Sequence, residues 1–229
     1  MLSSSVYSLP KLLGGQYMLT SILRETADTV VYTATQKDMR REVVVETLRL
    51  KRMADPFKVQ AFLETARLQT SVGGKFIATV LELLYAEDTW HIARERIQSP
   101  PLDELLEAGE RGSAASLCEL MLTLIRNCIK YDMMGVDSAP FSLQNAHFMG
   151  LGFRLDNLVR AGKRDSQTSR RDIQNAAREL LPKIDHASPF AHDMEVLLNN
   201  ILRYSHWTEL VPLDIYAEFI RMQLLIMRG

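Results

Sequence analysis

The first hundred residues show the short alternation of apolar and polar positions that is typical of β-strands. Their β-branched segments are separated by polar or charged turns, which predicts five strands in this part of the chain. Between the third and fourth strands, Asp55 and Pro56 are typical of a helix start and Gly73 of a helix end, so a helix is predicted over 56–72. The five predicted strands are residues 17–23, 29–35, 42–48, 77–85 and 90–97.

After Pro101 the pattern changes to the period of helices. The strongest apolar stripe runs over 117–134, and Ser116 and Glu119 have the spacing of a capping box at its start. A run of strands followed by a run of helices indicates an α+β protein with two lobes. The predicted helices are residues 102–108, 117–134, 170–184, 190–204 and 213–227, and two short strands are predicted at 145–149 and 152–155.

The composition and net charge exclude some classes of function but say little about the fold. The chain has 229 residues, of which 27 are Lys or Arg and 28 are Asp or Glu, for a net charge of −1. Nucleic-acid binders usually carry a basic excess, so we expect no nucleic-acid partner. No apolar run approaches the roughly 18 residues that a membrane-spanning helix needs, so no membrane span is expected within these residues.

The two cysteines point to a reducing compartment. Cys118 and Cys128 lie on one predicted helix, which separates them by about 15 Å at about 1.5 Å per residue. This separation prevents a disulfide between them. We therefore expect a cytoplasmic domain, either as a separate protein or as the intracellular part of a larger one.

A search for catalytic motifs finds none of the common ones. The sequence has no G-x-S-x-G, H-E-x-x-H, C-x-x-C or G-x-x-x-x-G-K-[ST]. Its 5 histidines lack metal-ligand spacing, so we expect no metal and no cofactor. The basic residues within 160–171 are interpreted as a solvated loop, with a docking site for a protein as the alternative.

An ordered series of short matches runs through the chain instead. Residues 22–34 read ILRETADTVVYTA. They resemble the first hairpin of protein kinases, in which a glycine-rich loop precedes Val-Tyr-x-Ala. In this alignment Arg24, Thr26 and Thr29 occupy the three glycine positions.

Two strands and the helix of the first half continue the resemblance. Residues 41–48, REVVVETL, resemble the kinase strand with the phosphate-binding lysine, and Glu46 stands in the lysine position. Glu64 falls near the helical glutamate of the family. Residues 90–97, WHIARERI, resemble the strand that enters the hinge, with Arg94 as gatekeeper.

The catalytic loop of the family has a degenerate match in the second half. Residues 135–145, GVDSAPFSLQN, resemble the kinase pattern G-[IV]-x-H-R-D-L-x-x-x-N. Asn145 matches this pattern. The His-Arg-Asp triplet is replaced by Ser138, Ala139 and Pro140.

Two further positions follow the catalytic loop. Residues 153–159, FRLDNLV, resemble the strand before Asp-Phe-Gly, and Asn157 replaces the metal-binding aspartate. Asp172 lies where the family has a structural aspartate. The resemblance implies that Asp172 is buried and accepts hydrogen bonds from the backbone near Ser138 or Ala139. No activation segment that ends in Ala-Pro-Glu fits before it.

The resemblance implies a protein-kinase-like bilobal α+β fold. Residues 1–15 would form an N-terminal extension. Residues 16–97 would form an N-lobe with a small five-stranded antiparallel sheet and one helix. Residues 98–229 would form a shortened, mainly helical C-lobe.

The resemblance also implies that phosphoryl transfer is absent. Glu46 repels phosphate, Pro140 cannot accept a proton, and Asn157 is a poor ligand for Mg²⁺. We therefore expect a pseudokinase rather than an enzyme, one that binds no Mg-ATP and acts as an interaction or regulatory scaffold for a protein partner. The alternatives are an unrelated α+β interaction domain, or a remodelled cleft with another nucleotide- or ligand-dependent activity that uses Glu46, Glu64 and Asn145.

The sharpest expectation concerns Glu46 and Glu64, two carboxylates that stand where kinases have one salt bridge. Strand alternation places Val44 and Glu46 on one face, towards the former nucleotide cleft. We therefore predict an ion pair between Glu46 and Arg94 that fills part of this cleft, with Arg67 as the second choice for the cation. The alternative is that Arg94 extends to solvent.

Overall fold

A computed structural model separates the chain into two compact units. The first contains residues 1–74 and 78–96, and the second contains 75–77 and 97–229. The residues that the structure describes are 7–72, 77–107, 113–138, 141–149, 152–156, 159–160, 167–203 and 212–228.

The first unit is built on one antiparallel sheet in the order β1-β2-β3-β4-β6-β5. The β-branched runs of its central strands form the interior of the sheet, as their alternation predicts. The strands are β1 (Lys11–Leu13), β2 (Tyr17–Glu25), β3 (Thr29–Gln36), β4 (Arg41–Leu48), β5 (Val80–Ala86) and β6 (Thr89–Glu95).

One face of this sheet packs against a helix. After a single helical turn, α1 (Leu50–Met53), the chain forms α2 (Pro56–Val72). The start of α2 is the predicted one, because Asp55 Oδ1 accepts a hydrogen bond of 3.0 Å from the backbone N–H of Phe57. The apolar cluster between helix and sheet contains Leu48, Phe62, Ala66 and Ile92.

The opposite face of the sheet is covered by the N-terminal residues. Leu13 of β1 is fully buried, and the ring of Tyr7 lies 6.0 Å from that of Tyr32. Residues 11–13 of the predicted N-terminal extension therefore form a strand of the sheet, which has one strand more than the five predicted. Three residues of β1 are too few to show the alternation of a strand.

His91 lies inside the first unit as a neutral imidazole. Its Nε2 lies 3.0 Å from the carbonyl oxygen of Ala86, and its Nδ1 lies 2.8 Å from the hydroxyl of Thr47. A carbonyl can only accept, so Nε2 carries the proton and Nδ1 accepts from the hydroxyl. Burial lowers the pKa of His91 below its ordinary value.

The second unit is mainly helical. Its long helix α4 packs against α5, α6 and α7 and buries the apolar stripe predicted for it. The helices are α3 (Leu102–Glu107), α4 (Ala114–Met134), α5 (Thr168–Leu180), α6 (Ala191–Arg203) and α7 (Leu213–Arg228). Single 3₁₀ turns are formed by Leu143–Asn145 and Leu181–Lys183.

Short strand pairs complete the second unit. The hairpin of β8 (Ala146–Phe148) and β9 (Phe153–Leu155) is close to the predicted one. A second antiparallel pair, β7 (Asp137–Ser138) with β10 (Val159–Arg160), was not predicted, since two residues are too few to show the alternation of apolar and polar positions in a strand. Within the described ranges, no helix combines the length and the apolar character needed to cross a bilayer.

Two predicted boundaries, one in each unit, are wrong. The N-cap of α4 is Ser113, whose hydroxyl accepts a hydrogen bond of 3.2 Å from the backbone N–H of Ser116, so the capping box was placed too late. The strand predicted at 77–85 begins at Val80. Ile77 instead pairs with Leu155, because it belongs to the second unit.

The environment of His91 predicts that acid destabilises the protein. The pKa of His91 is lowered in the folded state, whereas the unfolded chain has an ordinary value near ~6.5. Below about pH 6.5 the unfolded chain therefore binds more protons, and the free energy of unfolding falls as the pH falls. We expect His91→Gln to reduce this dependence, because an amide does not titrate, and to cost roughly 1–3 kcal/mol at pH 8, because its oxygen and nitrogen do not occupy the positions of the two ring nitrogens and one buried partner loses its hydrogen bond.

The measurement is urea unfolding between pH 8 and pH 5 at constant ionic strength. His192→Gln is the matched control, because His192 is exposed on α6. A His91→Gln variant that keeps the full pH dependence of the wild-type chain would contradict the role given to this imidazole.

Candidate functional site

The candidate site lies on the face of the sheet where β4 and β6 pair. Val44 is opposite Arg94, and Glu46 is opposite Ile92. Paired residues project from the same face, and every second residue of a strand shares that face. Glu46 and Arg94 are therefore diagonal neighbours across the two strands, within reach of each other for long side chains.

Glu46 and Arg94 form a nearly dry ion pair. Arg94 Nη2 donates to Glu46 Oε2 at 2.7 Å, and the two side chains are 1% and 13% exposed. A buried guanidinium needs a carboxylate, because an uncompensated charge in the interior is strongly unfavourable. The predicted ion pair is confirmed, and the alternative in which Arg94 extends to solvent is wrong.

Glu64 does not take part in this ion pair. It is half-buried on α2, between the buried residues Phe62 and Ala66. In the part of the chain that the structure describes, the side chain of Glu64 makes no hydrogen bond and no ion pair. Arg67, the second choice for the cation, is exposed.

The three positions aligned with kinase glycines lie in the turn between β2 and β3 and in the strand ends beside it. Arg24 is exposed within β2, and the turn itself is closed by the side chain of Thr26. The Thr26 hydroxyl accepts hydrogen bonds from the backbone N–H groups of Asp28 at 3.2 Å and Thr29 at 2.9 Å. Two N–H groups at this tip thus have their acceptor within the turn.

Asp28 connects the same turn to the helical segment. Its carboxylate contacts Arg52 Nε at 2.6 Å and Lys58 Nζ at 2.8 Å. The hydrogen bond from Lys58, together with the charge of Arg52, lowers the pKa of Asp28 below its ordinary value. The carboxylate is therefore held ionised by two cations from α1 and α2.

Arg49 adds a third cation at the tip. Its guanidinium pairs with Glu25 and donates from Nε to the carbonyl oxygen of Thr26 at 3.0 Å. Its backbone N–H donates to the carbonyl oxygen of Asp28 at 2.9 Å. Side-chain and backbone contacts of Arg49, the residue after β4, thus connect the tip of the hairpin to the segment that leads into α1.

Sequence reasoning did not find this network. Thr26, Asp28 and Thr29 are residue types whose side chains often hydrogen-bond to the backbone of a turn. This composition could have predicted the turn, but not its ion pairs. The partners Arg52 and Lys58 lie more than twenty residues away, and no local period relates them to the turn.

The aligned positions of the second unit are only partly described. Asn145 ends a 3₁₀ turn, and its carbonyl oxygen accepts a hydrogen bond of 2.7 Å from the backbone N–H of Asp156. Ser138 belongs to β7. Ala139, Pro140 and Asn157 lie outside the described residues.

Asp172 is 6% exposed on α5, as the resemblance implied for the structural aspartate. Its hydrogen bonds to the backbone near Ser138 or Ala139 stay a prediction. Among the residues with described positions, no three His, Cys, Asp or Glu side chains are grouped as a metal site would require.

The fold is similar to solved protein kinase domains. A crystal structure of the PknI kinase domain of Mycobacterium tuberculosis has a TM-score of 0.67 and 12% identity, covering 95% of this chain and 99% of that one. Another crystal structure of the same domain gives 0.71 and 11%, covering 95% and 98%. No protein-family model and no curated protein matches the sequence. The predicted protein-kinase-like α+β fold is confirmed, and identities this low describe the fold alone.

The buried ion pair predicts an asymmetric response to mutation. Arg94→Met leaves the Glu46 carboxylate without its cation, so we expect the free energy of unfolding to fall by about 3–5 kcal/mol. Replacing both partners, Glu46→Leu with Arg94→Met, is expected to recover most of this loss because no charge then remains to be desolvated. Urea unfolding of the three chains measures both effects.

Arg96→Met provides the matched control. Arg96 follows the last residue of β6, and its Nη1 pairs with Oε2 of Glu42 on β4 at 3.2 Å, with side chains 37% and 54% exposed. An exposed pair contributes little, so the expected loss is below about 1 kcal/mol. Equal losses for Arg94→Met and Arg96→Met would contradict the burial argument.

The hairpin tip predicts a specific change in amide exchange. Thr26→Val removes the hydroxyl that accepts from the N–H groups of Asp28 and Thr29, so both amides are expected to exchange about 5-fold faster. Thr20→Val is the control, since its hydroxyl lies 2.9 Å from that of Thr33 and away from the tip. Hydrogen–deuterium exchange followed by NMR resolves these amides, and unchanged rates in Thr26→Val would refute the assignment.

Proposed function

We propose that this chain is a pseudokinase domain, which binds no Mg-ATP, transfers no phosphoryl group and acts as a scaffold or regulator for a protein partner. The observation that carries the proposal is the ion pair of Glu46 with Arg94 at 2.7 Å, on the strand position aligned with the kinase lysine. The kinase-like fold supports the comparison of these positions.

Charge is the first argument. Phosphoryl transfer relies on cations that hold the phosphates and stabilise the charge of the transition state. Position 46 supplies an anion instead, and the one guanidinium beside it already neutralises that anion. Arg94 cannot replace the missing lysine without leaving Glu46 buried and unpaired, which would be strongly unfavourable.

The hairpin tip is the second argument. A phosphate-binding loop offers free backbone N–H groups to its ligand. Here the hydroxyl of Thr26 accepts from two of those groups, and the carboxylate of Asp28 adds negative charge beside them. Arg49, Arg52 and Lys58 also form ion pairs with Glu25 and Asp28 at the tip. A phosphate would have to compete with these carboxylates for the three cations.

The catalytic loop is the third argument, and it rests on the sequence. Pro140 stands where kinases have the base that accepts the substrate proton, and Asn157 stands where they have the carboxylate that binds Mg²⁺. Neither side chain can supply the missing function.

The remodelled-cleft alternative receives no support from the described residues. Its first candidate group, Glu46, is engaged by Arg94 and is therefore a poor choice for a general base. A role in protein binding fits the near-neutral charge of the chain better than nucleic-acid binding does. Both cysteines are free and buried, which fits the proposed cytoplasmic location.

Nucleotide titration tests the proposal. A ligand that binds the folded state raises its stability by mass action. We therefore expect no shift in melting temperature with ATP at about 1 mM, with or without about 5 mM Mg²⁺, because the folded chain has no affinity for it. A Mg²⁺-dependent rise that saturates with ATP would overturn the proposal.

A rescue variant shows whether the ion pair is the main obstacle. Glu46→Lys combined with Arg94→Met restores the lysine and removes the competing guanidinium. If this variant gains ATP binding, the pair alone prevents binding in the wild-type chain. If it stays unresponsive while folded, the hairpin tip and the lost metal ligand also contribute.

A further inference from the structure

The buried ring of His91 is covered by a short segment of the first unit, residues 7–13, which we call the strap. Tyr7, at the start of the strap, stacks on the imidazole with ring centroids 6.3 Å apart and an interplanar angle of 28°. The same tyrosine ring lies 6.0 Å from that of Tyr32 on β3. Tyr7 is thus one of the groups that keep water away from His91, which is fully buried.

Among the elements around His91, the strap has the shortest backbone pairing. The two hydrogen-bond partners of the imidazole, Thr47 and Ala86, belong to β4 and β5. Strand β4 pairs with β3 over eight residue pairs, and β5 pairs with β6 over six. The strap pairs only through β1, over three residue pairs with β2, at the end of the sheet. The strap can therefore open while the rest of the sheet stays paired.

The closed strap contains a buried hydroxyl that favours opening. Among the residues that the structure describes, the Tyr7 hydroxyl has no hydrogen-bond partner. Burying a hydroxyl without a partner costs free energy, and this cost is recovered when water reaches the group. The strap is also held by Lys11, whose Nζ lies 5.3 Å from the centroid of the Tyr7 ring and 3.1 Å from Oε2 of Glu87. These two charged side chains are 33% and 44% exposed, so their ion pair contributes little.

Protonation of His91 favours the open strap. Burial lowers the pKa of the closed imidazole, and the hydrogen bond to Ala86 and the charge of Glu87 offset this only in part. In the open form water solvates the ring, so its pKa returns towards the ordinary value near ~6.5. Below that pH opening takes up a proton, and the open fraction rises as the pH falls. The other ionisable groups around the stacked rings are Tyr7 and Lys11 of the strap, Tyr32 of β3, and Asp88 of the turn between β5 and β6.

We propose that the strap is a cover that acid releases, in which protonation of His91 detaches residues 7–13 while strands β2 to β6 stay folded. Release leaves β2 as the end strand of the sheet and exposes the apolar residues that Leu13 and Tyr7 now cover. An unpaired strand edge is a surface that pairs with other chains. The acid form therefore offers a surface that the neutral form hides. This device does not depend on the proposed loss of nucleotide binding.

Hydrogen–deuterium exchange followed by NMR between pH 8 and pH 5 tests the release. Each rate is divided by the intrinsic rate of an unfolded chain at the same pH, which gives a protection factor. The protection of the β1 amides is expected to fall about 10-fold over this range, because opening gains up to about 10-fold per pH unit below ~6.5. This loss is expected to be insensitive to urea below about 1 M, because a local opening exposes little surface.

Substitution of His91 separates its protonation from other effects of acid. His91→Gln is expected to remove most of the pH dependence of β1 protection, because an amide does not titrate. His192→Gln is the matched control and is expected to keep the full dependence, because His192 is exposed on α6.

Two substitutions of Tyr7 test the cover without changing His91. Tyr7→Phe keeps the ring and removes the buried hydroxyl, so the protection of β1 is expected to rise about 5-fold while its pH dependence remains. Tyr7→Ala removes the ring, so the pKa of His91 is expected to move towards its ordinary value. The NMR signals of the His91 ring, followed over about pH 4 to 8, give this pKa in each chain. Thermal unfolding confirms that each variant folds.

Three results would overturn the proposal. The first is a protection of β1 that stays the same between pH 8 and pH 5. The second is a loss at β1 with the same urea dependence as the β3 amides show, which would mean that acid unfolds the whole unit. The third is an equal pKa of His91 in Tyr7→Ala and Tyr7→Phe, which would mean that the strap does not shield the imidazole.

Discussion

The first unit depends on a guanidinium that has almost no contact with water. Arg94 is 1% exposed, and a cation in that position is tolerated only with a carboxylate in hydrogen-bonding contact. The pairing of β4 with β6 brings position 46 to the same face, so the identity of residue 46 and that of residue 94 are linked. A lysine at position 46 would put two cations together in a nearly dry environment. A lysine at position 46 is therefore unfavourable for as long as Arg94 remains.

At the more exposed hairpin tip, too, polar and charged groups have partners within the chain. The hydroxyl of Thr26 accepts from backbone N–H groups, and the carboxylate of Asp28 is shared by Arg52 and Lys58. In a ligand-binding loop such groups stay available for the ligand. In this chain two of those N–H groups, of Asp28 and Thr29, are satisfied internally, which stabilises one conformation of the loop.

The features that sequence analysis could predict are those with a local period or a local motif. The helix α2 begins after Asp55 as predicted, and the ion pair of Glu46 with Arg94 followed from strand alternation together with the kinase alignment. Strand β1 and the β7–β10 pair were missed because two or three residues show no alternation. The contacts of Asp28 were missed for a different reason, since they join residues whose proximity arises only after the sheet and α2 have packed.

The same distinction explains why solved kinase structures match this fold although no protein-family model matches the sequence. Sequence patterns of kinases rely on the glycine-rich loop, the lysine and the residues of the catalytic and metal-binding loops. At the aligned positions this sequence has other residues, namely Thr26, Glu46, Pro140 and Asn157. The fold depends on other contacts, namely the apolar alternation of the sheet, the buried stripe of α4 and the buried Asp172. A kinase-like fold can therefore be recognised at 11–12% identity, because the residues that hold the ligand in kinases and those that hold the core are largely different sets.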